Sequence, residues 1–261
     1  MHTKARILLL LPSAIASAVF LWVVCFGPQT IFYGRYRPLV RHPELYSYRG
    51  LNNATRPLTE LTGSTARATP ISYFGCDFEA PYKEIVRRQQ SPDRVEIRFK
   101  SGQTVTVFDP ESPYLKSPLG VDCTTRNPTD DGVGLGQDIC QSNYKQFEAV
   151  ISATPSQLSP FQSRREFTRI LTLVNRKGLW FEHNVAAPDI FYFSTEKIRG
   201  FETSGLSHRW QDVGLTLFDG LDRMWLIKIK GDGPSGVILT QAEINGIIGT
   251  FEIEAQQSQT R

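Results

Sequence analysis

The longest uninterrupted apolar run stands near the start of the chain. Ile7 to Phe26, ILLLLPSAIASAVFLWVVCF, is 20 residues without a charge. That is about the length an α-helix needs to cross the hydrocarbon core of a bilayer. Pro12 lies near one end, where a helix tolerates it, and Trp22, Phe26, Phe32, Tyr33 and Tyr36 follow as an interfacial aromatic belt. From Gly27 to Pro70 no period is sustained. Prolines, glycines and scattered aromatics punctuate the segment, which reads as a juxtamembrane stalk.

Periodic patterning begins at about Ile71 and runs to Glu254. Ile71–Phe74 is a short strand candidate, and Pro81 could open one or two helical turns in PYKEIVRRQQ. Val95, Ile97 and Phe99 alternate with Glu96, Arg98 and Lys100. After Ser101-Gly102, Val105 and Val107 alternate with threonines. Period-two alternation on both sides of a glycine turn predicts a β-hairpin. Residues 109–142 are rich in Pro, Gly, Asp and Ser and read as a long loop.

Two kinds of helix signal follow. Ser142–Ser152 is a short helix candidate. A stronger one opens at Ser159, with Pro160 at the first helical position and Gln162 completing a capping box. Phe167, Ile170, Leu171 and Val174 then fall on one face, and Gly178 after Arg176-Lys177 gives a stop signal. Strands are expected at Ile190–Ser194, Ile198–Glu202, Val213–Phe218 and Met224–Lys230, the last two joined by Asp219-Gly220-Leu221-Asp222. Thr240 and Glu243 form a second capping box, whose helix presents Ile244, Ile247, Ile248 and Phe251 as one stripe. Residues 255–261 read as a frayed polar tail.

The fold class expected is α+β: an N-terminal transmembrane helix, then a single antiparallel-sheet domain with helices packed on one face. The order of elements over residues 71–253 resembles in outline the PsbP-like domains of photosynthetic-membrane extrinsic subunits. No motif is matched, so no residue role is carried across.

Charge sharpens the membrane reading. The chain carries 29 basic and 26 acidic side chains. Lys4 and Arg6 precede the apolar run, and Arg35, Arg37, Arg41 and Arg49 follow it against Glu44, so the remainder is mildly acidic. A body of that balance lacks the concentrated basic face of a nucleic-acid binder. The basic juxtamembrane residues Arg35, Arg37 and Arg41 would meet anionic headgroups. Cleavage as a signal peptide at Ala16-Ser17-Ala18, or acylation of Cys25, are alternatives to the uncleaved anchor. Each leaves an awkward sequence at the junction. Arginines on both sides nearly balance the positive-inside rule, but a short N-terminal tail favours an extracytoplasmic body.

The chemistry candidates concentrate in Cys123-TTRNPTDDGVGLGQDI-Cys140. Set against a calcium-loop template, Asn127, Thr129, Asp131 and Asp138 occupy ligand positions around Gly132, with Asp130 adjacent. Neutral groups replace most of the carboxylates and no helix precedes the loop, so the metal signal is weak. A Cys123–Cys140 disulfide is the stronger reading. It would remove roughly 3 kcal/mol of unfolded-chain entropy on the loop-closure account. Two unpaired thiols in a reducing compartment is the alternative. Cys76 could pair with either cysteine or sit buried as a small hydrophobe.

No nucleophile elbow, zinc-protease motif or P-loop occurs. The body's two histidines, His183 and His208, cannot make a three-histidine site, and a mixed site with Glu182 or Asp189 has no supporting motif. Glu79 with Glu84, and Asp219 with Asp222, read as solvated carboxylates. Arg164, Arg165, Arg169, Arg176 and Lys177 read as a solvated helix face. The expectation is a single-pass anchored protein, held by residues 7–26, whose extracytoplasmic body binds or assembles with a protein partner, without cofactor. The alternatives are an anchored, hydrolase-like enzyme with a dispersed site, or a scaffold facing the cytoplasm.

Overall fold

The structure is a computed structural model. It describes residues 17–23, 51, 53–58, 68–112, 142–159, 161–182, 189–206, 211–231 and 238–253, with isolated positions 27, 34, 115 and 139. Eleven strands are described: β1 (Thr55–Pro57), β2 (Thr69–Tyr73), β3 (Cys76–Ala80), β4 (Ile85–Ser91), β5 (Arg94–Phe99), β6 (Thr104–Phe108), β7 (Asp189–Ser194), β8 (Arg199–Ser204), β9 (Asp212–Phe218), β10 (Met224–Lys230) and β11 (Glu252–Ile253). The body helices are α1 (Asn143–Ser152), α2 (Arg164–Glu182) and α3 (Gln241–Thr250).

Eight strands form one sheet in the order β1-β7-β8-β9-β10-β6-β5-β4, and β11-β3-β2 form a small second sheet. The expected hairpins are present: β5 pairs antiparallel with β6, and β9 with β10. Gly102 takes φ +98 in the first turn, a conformation glycine adopts without a Cβ clash. The large sheet is mixed, because β1 pairs in parallel with β7. Thr55–Pro57, within the proline-rich segment, therefore build one edge of the sheet.

The sheet is covered on both faces, where one was expected. Val213, Leu215 and Leu217 of β9 and Trp225, Ile227 and Ile229 of β10 face the small sheet and Ile244, Ile247 and Ile248 of α3. Phe218, Met224 and Leu226 face the other way, against Phe147 and Ile151 of α1. Alternate residues of a strand point to opposite faces, so strands apolar at nearly every position need a layer on each side. The run MWLIKI carries that signal. Helix α2 packs on α1 through Phe167, Ile170, Leu173 and Val174.

Three element boundaries differ from the sequence pattern. PYKEIVRRQQ is not helical: Ile85–Ser91 is an edge strand. Its side chains are solvated on both faces, so no alternation marks it, and pairing with β5 decides its conformation. Helix α2 begins at Arg164, with Ser163 Oγ accepting from Glu166 N at 3.2 Å. The Ser159–Gln162 box forms a separate turn, in which Ser159 N donates to Gln162 Oε1 at 3.0 Å. The helix also runs through Gly178 to Glu182. Trp180 packs edge-on against Phe147 at 5.2 Å, which offsets the cost of about 1 kcal/mol for a helical glycine.

Within the anticipated anchor, residues 17–23 are helical, with Val19, Phe20, Leu21, Trp22 and Val23 exposed. Residues 7–16 and 24–26 lie outside the described residues. No helix among the described residues is long and apolar enough to cross a membrane.

Candidate functional site

Most carboxylates in the body's turns serve the fold. Asp219 is buried and accepts from Arg223 N and Arg223 Nε, both at 2.7 Å. Asp222, at φ +64, reaches from the β9–β10 turn to the start of α1. It accepts from Ser142 Oγ at 2.9 Å, from Tyr144 N at 3.1 Å and from Asn143 N. The first N–H groups of a helix have no intrahelical partner and carry partial positive charge, so a carboxylate there is favourable. Arg199 lies 3.5 Å from Asp222 and 3.9 Å over the Tyr144 ring. The Asp219–Asp222 pair is thus a structural joint between hairpin and helix, not a solvated pair. Glu84 is solvated as expected, with Lys100 Nζ at 2.6 Å holding its carboxyl below the usual range.

Two buried ionisable groups were not marked by the sequence pattern. Glu202, on β8, has no exposed surface. Its Oε2 accepts from Gln241 Nε2 at 2.8 Å, while its Oε1 makes no well-formed hydrogen bond among the described residues. Burial pushes its pKa up to about 7; Gln241 and Ser204 oppose the shift and Asp189 adds to it. Asn245 also contacts Gln241, at 3.0 Å, so a small polar cluster closes the start of α3 over the sheet. Nothing in FETSG distinguishes this strand glutamate from an outward-facing one.

Lys177 corrects the reading of α2 as a wholly solvated basic face. It has no exposed surface, and its Nζ donates to Asn53 O at 2.8 Å and Ala153 O at 3.0 Å. Desolvation lowers its pKa to about 7. It joins the chain leading into β1 to the end of α1. A signal was present here: Lys177 lies three residues after Val174 and seven after Ile170, on the apolar stripe. Arg169 is paired with Glu166 at 3.1 Å.

A groove of about 450 Å³ opens between α1 and α2. Ile139, Ala149, Ile170 and Leu173 give it apolar walls, and Glu166 and Arg169 stand at it with opposite charges. Neither Glu202 nor Lys177 lines it. Among the described residues it offers apolar contact, a neutralised guanidinium and the Ser152 hydroxyl, which lies 3.5 Å from Thr55 Oγ1.

The remaining feature is the β4 edge of the large sheet. Val86, Arg87, Arg88, Gln89 and Gln90 are all exposed. Register places Arg87 opposite Arg98, Arg98 opposite Thr104, and Thr104 opposite Lys230. Gln89, Glu96, Thr106 and Lys228 form the next row. Strands β4 and β5 together carry Arg87, Arg88, Arg94 and Arg98 against Glu96 alone. This concentration went unseen because the first of these strands read as a helix.

Of the residues singled out in sequence, Asn127, Thr129, Asp131, Asp138, Cys123, Cys140, His183 and His208 lie outside the described residues. Among the described residues no group of three His, Cys, Asp or Glu could hold a metal ion. Asp189 is ion-paired with Arg56. Cys76 is buried in the main core, its Sγ 3.1 Å from Tyr73 O. No protein-family model, curated protein or solved structure matches the chain.

Proposed function

We propose that the chain is a single-pass, membrane-anchored protein whose α+β body acts as a binding or assembly module on the extracytoplasmic side. Residues 7–26 are the anchor, and Arg35, Arg37 and Arg41 contact anionic headgroups. The observation that carries the module reading is the division of labour among polar groups. Asp219, Asp222 and Lys177 are consumed in holding elements together, whereas Arg87 and Arg88 stand exposed on β4, the last strand of the large sheet among the described residues. A polar surface that folding does not use is available to a partner. The glycine-rich loop, closed by Cys123–Cys140, would add a second presented surface on the same body.

Glu202 favours a second reading, an anchored enzyme. A buried carboxyl with an oxygen that makes no well-formed hydrogen bond among the described residues, and a pKa near neutrality, suits a proton-transferring group. The groove does not reach it, so the module is preferred.

Membrane fractionation tests the anchor. The full chain should remain with membranes through alkaline carbonate extraction, and a chain starting at Pro28 should be released. Release of the full chain would refute the anchor. Mass spectrometry without reduction, after thiols are blocked in intact membranes, tests the side. A Cys123–Cys140-linked peptide pair is expected. Alkylation of both thiols would redirect the reading to a cytoplasm-facing scaffold.

A further inference from the structure

We infer that the outer face of α2, with the Phe161 turn that precedes it, rests on an anionic lipid surface. The inference rests on the anchor reading and names the surface through which the body meets the bilayer. The chain enters the body at α2. Leu51 is buried among Phe167, Ile170 and Val174 of that helix, and Asn53 O is held by Lys177 Nζ at 2.8 Å. Residues arriving from the anchor are therefore fastened to α2 before β1 begins.

The outer face of the helix is basic. Phe167, Ile170, Val174 and Lys177 turn inward and are buried. At about 100° per residue, Arg165, Thr172 and Arg176 fall together on the opposite side. Arg165 is exposed and Arg176 half-buried. Arg169 stands at the flank, paired with Glu166, and adds no net charge. Four residues before Arg165 comes Phe161, which is 73% exposed, the most exposed aromatic side chain among the described residues of the body. Its turn is braced by polar groups. Ser159 N donates to Gln162 Oε1 at 3.0 Å, Gln162 Nε2 donates to Gln157 O at 2.9 Å, and Phe161 N donates to Ser159 Oγ at 3.3 Å. The backbone is fixed while the ring gains nothing from the core.

A single exposed apolar side chain is ordinary. One held near outward-facing arginines, on the helix that receives an anchored chain, has the chemistry of a headgroup boundary. The ring suits its apolar side and the guanidiniums suit lipid phosphates. Each arginine near an anionic surface improves partition about fivefold, too little to hold a free protein. A tethered body needs no more, because the anchor makes the contact intramolecular at high effective concentration. Like charges disfavour a second copy on this face. Attachment of the incoming chain to α2 favours lipid over an acidic protein.

The test is phenylglyoxal modification of arginine in the full chain, read residue by residue by mass spectrometry. It compares vesicles of phosphatidylcholine with vesicles containing about one-third phosphatidylglycerol. Modification of Arg165 and Arg176 should fall about threefold or more in the anionic vesicles alone. It should recover in about 1 M salt, where the Debye length is about 3 Å. Arg87 and Arg88 of β4 are the internal comparison and should be unchanged. Phe161→Ser should weaken the protection of both arginines, and Arg165→Glu should remove it from Arg176. Both substituted positions are exposed, unchanged thermal unfolding checks each variant, and the lipid comparison itself needs no variant. Equal modification in the two kinds of vesicle overturns the inference, whether both protect or neither does. Equal protection by soluble polyglutamate overturns it in favour of an acidic protein partner. Protection of Arg87 and Arg88 instead would turn the β4 side to the membrane, and protection that grows with protein concentration in detergent would mean a contact between copies; either overturns it. A chain that resists carbonate but shows no protection keeps the anchor and loses the surface. A chain that carbonate releases, yet whose Arg165 and Arg176 anionic vesicles protect, keeps the surface and loses the anchor.

Discussion

Replacing Glu202 by glutamine should stabilise the protein, and only above a certain pH. In the folded state the carboxyl is fully buried, with one oxygen held by Gln241 and the other without a well-formed hydrogen bond among the described residues. Its pKa stands at about 7, against 4.5 for the ordinary carboxyl. A folded pKa above the unfolded one means that protons stabilise the native state. That contribution is complete below pH 4.5, falls as pH rises, and is lost above about 7. The separation of some 2.5 pH units corresponds to about 3.5 kcal/mol at its limit, at about 1.4 kcal/mol per unit. Glutamine keeps an acceptor for Gln241 and never ionises. Glu202→Gln should therefore match the wild type near pH 4 and exceed it by about 3 kcal/mol at pH 8. For a body of this size that is a rise in Tm of roughly 6–12 °C. Urea unfolding at pH 4, 6 and 8 measures it. A gain that is the same at every pH, or a loss at pH 8, would refute the reasoning. A loss would mean that the ionised carboxylate has a partner, and would raise the standing of the enzyme reading.

Lys177 should show the opposite dependence. Its pKa is lowered from 10.5 to about 7, so the charged form is penalised in the fold, and native stability should rise as pH increases from about 7 towards 10. Lys177→Met should flatten that rise in urea titrations, and should expose the chain leading into β1 to faster amide exchange, because Asn53 O and Ala153 O lose their donor. Asp222→Ala should cost about 2 kcal/mol by loss of the shared cap on α1, whereas Asp222→Asn, which keeps an acceptor and tolerates φ +64, should cost less than half of that; equal costs would refute the capping account.

The sequence by itself determined the element types whose side chains alternate or repeat with a period. The β5–β6 and β9–β10 hairpins, the β7 and β8 strands and the α3 capping box follow from local pattern, because their apolar positions, on one face or both, and their turn and cap residues agree. The apolar run at 7–26 and the basic residues on both sides of it are likewise matters of sequence alone. Tertiary structure decided what had no period to read. Strand β4 carries polar side chains on both faces and exists only because β5 offers a hydrogen-bonding partner; its mistaken helical reading hid the arginine concentration. Helix α2 passes Gly178 because Trp180 finds Phe147. Asp222 caps a helix that begins 79 residues earlier, at Asn143. Glu202 and Lys177 are buried by layers far away in sequence, and desolvation, unlike patterning, depends on what packs overhead. Local free energies write the elements into the chain, whereas burial, register and charge environment belong to contacts between distant segments.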